Sequence, residues 1–420
     1  MKNHFLHLII LILSTQPIFS QPVRIPGRAT IHPSVVKLAP GETQKFKIVM
    51  MATRLKGAYL AEDVKWAVND ISGGNDELGT IDSTGLYRAP AKTPNPREIH
   101  ICAEVEEAAN RYLLATVLME APGPAYKMIH AWTEPRDNPT YLKDPHCVAL
   151  DKDGNLLIAD YHGSRVLRFT PEGDYLGDIG LGTGEGPGQV TKPRVVATDS
   201  AGNIFISDQK SDKPRIQVFN QKGEFLRIFA EKGTGPGHIL RAHGLAFDSQ
   251  QRLFVVDVDN MRVNIYKHSG EFIKSWGKDG SNPGNFNAPH GIVIDRNDDV
   301  FVSSYYSTVQ KFTAYGDFLF AFAHADPPDG AVYIHSITGD RWGNLYLMVR
   351  GMGGYGGKIE DIEGKTVSIM KYNNNGDYVC SLTLEVKAHS ENWAAVDDKG
   401  LVYAIYMGHE RMGFEIFAPQ

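Results

Sequence analysis

HCVALDKDGNLLIADYHGSRVLRFTPEGDYL, residues 146–176, is the stretch that decides the fold of this 420-residue chain. Apolar residues alternate with other residues along three short runs. Turn sequences lie between the runs, among them Asp-x-x-Gly and Gly-Asp-Tyr. Alternation with a period of two predicts half-buried β-strands, and Asp and Gly tolerate the backbone angles of a tight hairpin. The stretch therefore predicts one small antiparallel sheet.

The same pattern returns five more times along the chain. Its anchoring acids follow one another at intervals of 45 to 57 residues: Asp151, Asp199, Asp248, Asp295, Asp340 and Asp397. This period matches a four-stranded blade of a β-propeller. Complete repeats end with a fourth strand, such as EFLRIFA at 224–230, whereas the last repeat lacks one. A spare strand, YKMIHAW at 126–132, precedes the first repeat, and we expect it to complete the last blade and close a ring of six.

Residues 22–121 have another pattern, in which short alternating segments are separated by turns without helical periodicity. This predicts a β-sandwich, joined to the propeller of residues 126–420 by a proline-stiffened linker at 122–125. At the start, Lys2, an apolar run and then small residues predict a secretory signal over 1–20, since the run is too short to span a bilayer. We expect a secreted or periplasmic protein without a membrane span in the mature chain; an uncleaved anchor is the alternative.

Composition excludes several functions. The formal net charge is -6, and no basic run is present, which argues against nucleic acid as a partner. The Gly-rich segment GTGEGPGQ at 182–189 lacks the lysine and the helix of a phosphate-binding loop. The sequence also lacks a nucleophile-elbow motif. We expect the partner to be an extracellular glycan, peptide or protein.

A column of polar residues lies five positions before each anchoring acid, where the inner strand of each blade begins. We call these six the ring residues: His146, Arg194, His243, His290, His335 and Asn392. They are expected to converge at one mouth of the central channel. His146, His243 and His335 come from alternate blades, and three imidazoles with an open fourth position are the pattern of a catalytic metal site.

Zinc or another divalent transition metal is the expected occupant of this site, because imidazole favours such ions. Calcium held by channel carbonyls is a further interpretation. In the alternative, each histidine simply bonds a neighbouring carbonyl and the column is structural.

Other side chains are expected at the same mouth. Ten positions after the acids, the loops between second and third strands hold Tyr161, Tyr305 and Arg350. Tyrosine can exchange a proton with a substrate, as can His290, the histidine outside the trio. Arg194 and Arg350 can hold a carboxylate through two hydrogen bonds. In the alternative, the tyrosines cap the channel and the arginines bond carbonyls.

Several motifs resemble known families. Over residues 126–420 the repeats resemble NHL repeats, whose supporting segments precede the first strands: GTGEGPGQ at 182–189, GTGPGH at 233–238 and GKDGSNPGNFNAPHG at 277–291. Over residues 22–121 the chain resembles bacterial Ig-like domains through four segments: VKLAPGETQKF at 36–46, VKWAV at 64–68, GTIDSTGLYRAP at 79–90 and IHICAEV at 99–105. These resemblances imply an all-β protein, an Ig-like β-sandwich followed by a six-bladed NHL-type β-propeller.

The ring residues resemble the metal site of the peptidyl-hydroxyglycine amidating lyases, six-bladed NHL propellers that hold zinc on three alternate-blade histidines. The resemblance implies zinc ligands at His146, His243 and His335. Positions equivalent to that family's catalytic arginine and tyrosine fall near Met407 and near 209–210, so the resemblance extends to the metal site and not to the reaction.

Taken together, the sequence predicts an exported propeller that acts as a metal-assisted lyase or hydrolase on an acidic glycan or a peptide-derived substrate. The alternative is a non-catalytic propeller that binds a protein or glycan and is presented on an Ig-like spacer.

Overall fold

The chain is all-β and contains a six-bladed propeller, as predicted. The structure, a computed structural model, describes residues 27–50, 58–121, 125–135, 140–209, 213–304, 308–323, 332–351, 368–384, 393–407 and 411–420. The regular elements in these ranges are β-strands, and none of the described segments is a helix long and apolar enough to cross a membrane. The predicted secretory signal at 1–20 lies outside the described residues.

Twelve strands precede the propeller, and we call them the N-terminal sheets: β1 (Ala29–His32), β2 (Val35–Leu38), β3 (Thr43–Lys45), β4 (Lys47–Met50), β5 (Tyr59–Leu60), β6 (Lys65–Val68), β7 (Ile71–Ser72), β8 (Gly74–Asn75), β9 (Gly79–Ile81), β10 (Leu86–Arg88), β11 (Glu98–Glu104) and β12 (Tyr112–Met119). Their orders are β1-β4-β5, β3-β10-β9-β8 and β2-β12-β11-β6-β7.

The N-terminal sheets share one apolar core in which Trp66 and Tyr87 are buried. Gly85 lies against this core with a φ of 82°, and a Cβ at that position would come within 2.8 Å of the Trp66 ring. Glycine is required there because both the backbone angle and the space exclude a side chain. Kinship with bacterial Ig-like domains stays a prediction.

The propeller follows. Blades 1 to 3 consist of β14 (Pro145–Leu150), β15 (Leu156–Asp160), β16 (Arg165–Phe169), β17 (Tyr175–Asp178), β18 (Pro193–Thr198), β19 (Ile204–Asp208), β20 (Arg215–Phe219), β21 (Phe225–Phe229), β22 (Ala242–Phe247), β23 (Leu253–Asp257), β24 (Arg262–Tyr266) and β25 (Phe272–Trp276). Blades 4 to 6 consist of β26 (Pro289–Ile294), β27 (Val300–Ser304), β28 (Thr308–Phe312), β29 (Phe318–Ala323), β30 (Val332–Gly339), β31 (Leu345–Gly351), β32 (Ser368–Tyr372), β33 (Tyr378–Thr383), β34 (Trp393–Val396), β35 (Val402–Met407), β36 (Arg411–Pro419) and the earlier strand β13 (Tyr126–Pro135).

Ring closure occurs as the sequence predicts. The spare strand β13 pairs antiparallel with β36 and completes the sixth sheet, whose order is β13-β36-β35-β34. The inner strands contact one another in sequence around the ring, and β34 of the last blade contacts β14 of the first. Pairing the two ends of the repeat region in one sheet removes the exposed edge that the last blade would otherwise present.

The recurring acid builds the first hairpin of each blade. In blade 1, Oδ1 of Asp151 accepts hydrogen bonds from the backbone N–H groups of Asp153 and Asn155. The other five anchoring acids accept the same pair of bonds. A short carboxylate side chain that bonds the backbone two residues onward stabilises the turn, which is why Asp recurs. These hairpins lie at the channel end opposite the ring residues, because each inner strand runs from one to the other.

The N-terminal sheets contact the hairpin end of blades 4 and 5. The His100 ring stacks on Trp342 with 4.5 Å between centroids, and Lys371 donates a hydrogen bond to the buried carboxylate of Glu98. Asn297 exchanges two hydrogen bonds with the backbone of Tyr112. The N-terminal sheets are therefore bound to the face of the propeller that does not carry the ring residues.

Candidate functional site

Five of the ring residues lie on β-bulges. The pairing of first and second strands shifts register between Pro145 and Cys147, and equivalent shifts occur in the next four blades, where they span Arg194, His243, His290 and His335. A bulge leaves one residue without a direct cross-strand partner and re-aims its side chain. The same bulge, which turns one side chain out of the alternating pattern of the strand, thus recurs in these five blades.

A buried aspartate fixes the loop before each of the first three inner strands. Asp160, the last residue of β15, accepts hydrogen bonds from the backbone N–H groups of Lys143 and Asp144, and Arg165 pairs with its other oxygen. Asp208 and Asp257 do the same in blades 2 and 3. The sequence analysis missed this clamp, although an aspartate followed five or seven residues later by arginine recurs in all three blades.

The environment of His146 is a carboxylate cluster. Its Nε2 lies 2.9 Å from Oδ2 of Asp144, and Nε2 of His162 lies 3.3 Å from the same oxygen. The Tyr161 ring packs against His146 with 4.7 Å between centroids. A carboxylate on one imidazole nitrogen fixes the tautomer, so that Nε2 carries the proton and Nδ1 the lone pair. Asp144 and His162 were absent from the predicted site.

His243 and His290 meet edge to face, with 4.6 Å between their ring centroids. On its other side, His290 lies nearly parallel to Trp393 of blade 6 at 6.0 Å. Blades 3, 4 and 6 therefore bring side chains together at the mouth, as the six-fold arrangement predicts. Trp393 was not predicted, and its only sequence signal is that it follows the ring position of blade 6.

His243 is buried, and among the described residues neither of its ring nitrogens has a hydrogen-bond partner. Burial holds its pKa well below the usual range, and the nearby charges of Arg194, His290, Arg241 and His146 lower the pKa further. The ring is therefore neutral near pH 7 and keeps a lone pair. Leaving a buried donor and acceptor unpaired costs about 1–3 kcal/mol of folding free energy. A purely structural role for His243 does not explain this cost.

Two cations flank Tyr161 from blade 2. The Lys192 Nζ lies 5.3 Å from the ring centroid, and the Arg194 Cζ lies 5.4 Å from it. Tyr161 thus stands between His146 and a pair of cations, and the predicted residues Tyr161 and Arg194 do come together. Lys192 was missed, and its position two residues before a ring residue was the available signal.

A cavity of about 370 Å³ runs along the axis of the propeller. All six inner strands line it, mostly with Val, Ile, Ala and Leu, and His243 and Trp393 lie among the lining residues. His243 therefore lies in a channel whose lining side chains are mostly apolar.

Four predicted residues are described in part or not at all. Tyr305 and Asn392 lie outside the described residues. The backbones of His335 and Arg350 lie in β30 and β31, but their side chains lie outside the description, so the predicted trio of ligands stays a prediction. Among the described side chains, no group of three His, Cys, Asp or Glu is placed to hold a metal ion. Two histidines are chemically suited to be ligands of a metal ion: His243, which is neutral, and His146, which a carboxylate orients.

Comparison with known proteins agrees with this architecture. A model of the NHL repeat matches residues 142–169, which comprise most of blade 1. The described residues thus fold as a β-propeller whose first blade matches the NHL repeat.

The curated relatives match in part. Protein brain tumor of Drosophila melanogaster is 28% identical over 115 residues, which are 27% of this chain and 10% of that protein. Peptidyl-glycine alpha-amidating monooxygenase of Mus musculus is 29% identical over 126 residues, or 28% of this chain and 13% of the relative. The chain spans only about a tenth of the length of these relatives. A solved protein of unknown function from Bacteroides thetaiotaomicron is 14% identical, with coverage of 94% and 98% and a TM-score of 0.49.

Proposed function

We propose that the mouth of the propeller is the catalytic site of a metal-assisted lyase or hydrolase, which acts on an acidic glycan or a peptide-derived substrate. The observation that carries the proposal is His243, a buried and neutral imidazole whose nitrogens have no hydrogen-bond partner among the described residues. A side chain in this state is costly for folding and suited to a ligand.

In the proposed site, His146, His243 and His335 hold the metal, with zinc as the expected ion. A bound Zn²⁺ would supply a Lewis acid that polarises an oxygen of the substrate. Asp144 contributes by orienting His146 through the contact at Nε2. Such carboxylate–histidine pairs commonly set the position and basicity of a metal ligand.

The remaining residues bind the substrate and move protons in this proposal. Arg194 holds an acidic group of the substrate, with Arg350 as a second candidate for the same role. His290 lies beside His243 and is placed to accept or donate a proton, and Tyr161 and Tyr305 are the alternatives. The Trp393 ring covers one side of His290, which limits the access of water to that side.

Two further elements of the proposal rest on the sequence and on one relative. The signal predicted at 1–20 supports export to the periplasm or the cell exterior. The mouse relative is named for amidation of a peptidyl-glycine, which supports a peptide-derived substrate. The activity as a whole remains part of the proposal, because the match covers 13% of that protein.

Elemental analysis of the purified full chain tests the proposal. We expect about one zinc or other transition-metal ion per chain, since three histidines complete one site. His243→Ala should lose that metal. The matched control is His238→Ala, because His238 lies in the same region of sequence but is exposed, and its ring bonds the Pro236 carbonyl of its own loop. A metal-free native chain, or a His243→Ala variant that retains the metal, would leave the non-catalytic binding propeller as the better explanation.

A further inference from the structure

One cation at the mouth, Lys192, makes no ion pair among the described residues. Lys192 is half-buried and makes no salt bridge with any carboxylate of the described residues. Two other cations of blades 2 and 3 differ from it: Lys213 pairs with Glu185, and Arg241 pairs with Asp259. A half-buried ammonium group without a counter-charge is poorly compensated, and an anion from outside the chain would compensate it.

Two carboxylates described nearby are engaged elsewhere. Asp208 bonds the backbone N–H groups of Thr191 and Lys192 and pairs with Arg215. Asp144 directs the same oxygen to His146 and His162, at 2.9 and 3.3 Å, on the blade 1 side of Tyr161. Lys192 and Arg194 lie on the blade 2 side of the same ring, within 5.4 Å of its centroid. The local surplus of positive charge contrasts with a net charge of -6 for the whole chain. A basic recess on an acidic protein concentrates anions.

A second observation joins this recess to the candidate metal site. Arg194 and His243 occupy the ring positions of adjacent blades, whose inner strands β18 and β22 contact one another. The His243 ring is buried and has no hydrogen-bond partner among the described residues. The Arg194 guanidinium lies over the Tyr161 ring, one blade away from His243. A ligand held by Lys192 and Arg194 would extend toward His243.

We infer that Lys192 and Arg194 form a carboxylate subsite over Tyr161, so that the substrate carries a carboxylate adjacent to the group on which the ring residues act. Only the position of the carboxylate next to the reacting group rests on the proposed function; the subsite itself does not. Arg194 supplies a planar pair of donors, and Lys192 supplies a compact charge. The carboxylate can belong to a sugar acid or to the end of a peptide.

Binding of small probes to the purified full chain, measured by calorimetry or by NMR titration, tests the subsite. The probes are glucuronate against glucose, and N-acetylglycine against N-acetylglycinamide, so each acid has a neutral partner. We expect one acid to bind and its neutral partner to bind at least about tenfold more weakly, since hydrogen bonds to a charged group are the strong ones. The acid that binds identifies whether the carboxylate is carried on a sugar or on a peptide.

Three variants separate charge from folding. Lys192→Gln should weaken binding of the acid about tenfold or more, Lys192→Arg should restore most of it, and Lys213→Gln should have no effect because that lysine is exposed. Binding of neutral and acidic probes with equal affinity, or wild-type binding by Lys192→Gln, would overturn the inference.

The metal content of the same samples keeps the two proposals apart. If the acid binds and depends on Lys192 while no metal is found, the subsite stands and the metal-assisted reaction fails. If metal is present and lost in His243→Ala, but no acid binds, the metal site stands and the carboxylate subsite fails. Lys192→Gln should retain the metal in either case, because Lys192 is not among the proposed ligands.

Discussion

The contact between the N-terminal sheets and the propeller depends on one buried charge. Lys371 in blade 5 is 3% exposed, and its ammonium group bonds to the carboxylate of Glu98, which is 7% exposed. The hydroxyl of Tyr126 lies at 3.2 Å and Oδ2 of Asp340 at 3.7 Å. Burial alone would lower the pKa of Lys371, but Glu98, Tyr126 and Asp340 together hold it above its usual range.

Glu98→Gln is the informative perturbation because it keeps the shape of the side chain and removes its charge. Breaking a buried ion pair by neutralising one partner costs about 3–5 kcal/mol. Asp340 and Tyr126 remain close to the ammonium group, so we expect a loss of roughly 2–4 kcal/mol. Lys371→Met combined with Glu98→Gln should be less destabilised than the sum of the two single variants, since no unpaired charge remains between them.

Guanidinium titration followed by tryptophan fluorescence measures this, and Trp342 reports on the contact itself because its ring stacks on His100. The control is Glu106→Gln in the N-terminal sheets. Glu106 is 69% exposed and pairs with Lys65 in solvent, so its loss should leave the unfolding midpoint close to that of the wild type. Equal midpoints for Glu98→Gln and Glu106→Gln, or strict additivity in the double variant, would refute the reasoning.

Three further predictions concern single side chains. Burial lowers the pKa of His100 from 6.5 to about 3, so the unfolded chain binds a proton between these values while the folded chain does not. Stability should therefore fall as the pH falls from 6.5 to 3, by roughly 4–5 kcal/mol more in the wild type than in His100→Phe, as denaturant midpoints across that range would reveal. In metal-free buffer, His243→Leu should raise the free energy of unfolding by about 1–2 kcal/mol because it removes unpaired polar atoms, whereas His238→Leu should leave it unchanged. Asp160→Asn should lower the unfolding midpoint by an amount equivalent to about 2–3 kcal/mol, since it removes the buried charge that pairs with Arg165; an unaltered midpoint would contradict the clamp.

The sequence predicts the propeller well because each blade corresponds to one copy of a sequence repeat with a nearly regular spacing. The spacing of Asp151 and its five equivalents defines the blades, and the unmatched strand at 126–132 defines the closure. The column that contains His243 and His290 also follows from the period, and the structure brings these two rings together. Nothing more than alignment of the repeats is needed for these inferences.

Other features of the site could not be predicted because they depend on pairing and not on spacing. The bulge at His146 is a mismatch between β14 and β15, which appears only when the two strands are in register. The position of Asp144 depends on the loop before β14, which Asp160 holds through the backbone N–H of Asp144, so that the Asp144 carboxylate reaches Nε2 of His146. The contact of Lys371 with Glu98 joins residues that lie 273 positions apart in the sequence, so no local sequence motif predicts it.

Among the described residues, unpaired buried polar atoms occur at both ends of the propeller, but only His243 at the mouth has two of them, and this favours a functional mouth over a purely structural one. At the hairpin end, carboxylates such as Asp151 and Asp199 bond the backbone of their own turns, and the N-terminal sheets bury further pairs against blades 4 and 5. At the mouth, a buried imidazole stands without hydrogen bonds among the described residues and a half-buried lysine stands without a carboxylate. Natural sequences usually remove such costs unless the groups are used. If the ring residues served only to bond carbonyls, His243 would be the residue most expected to do so, and it does not.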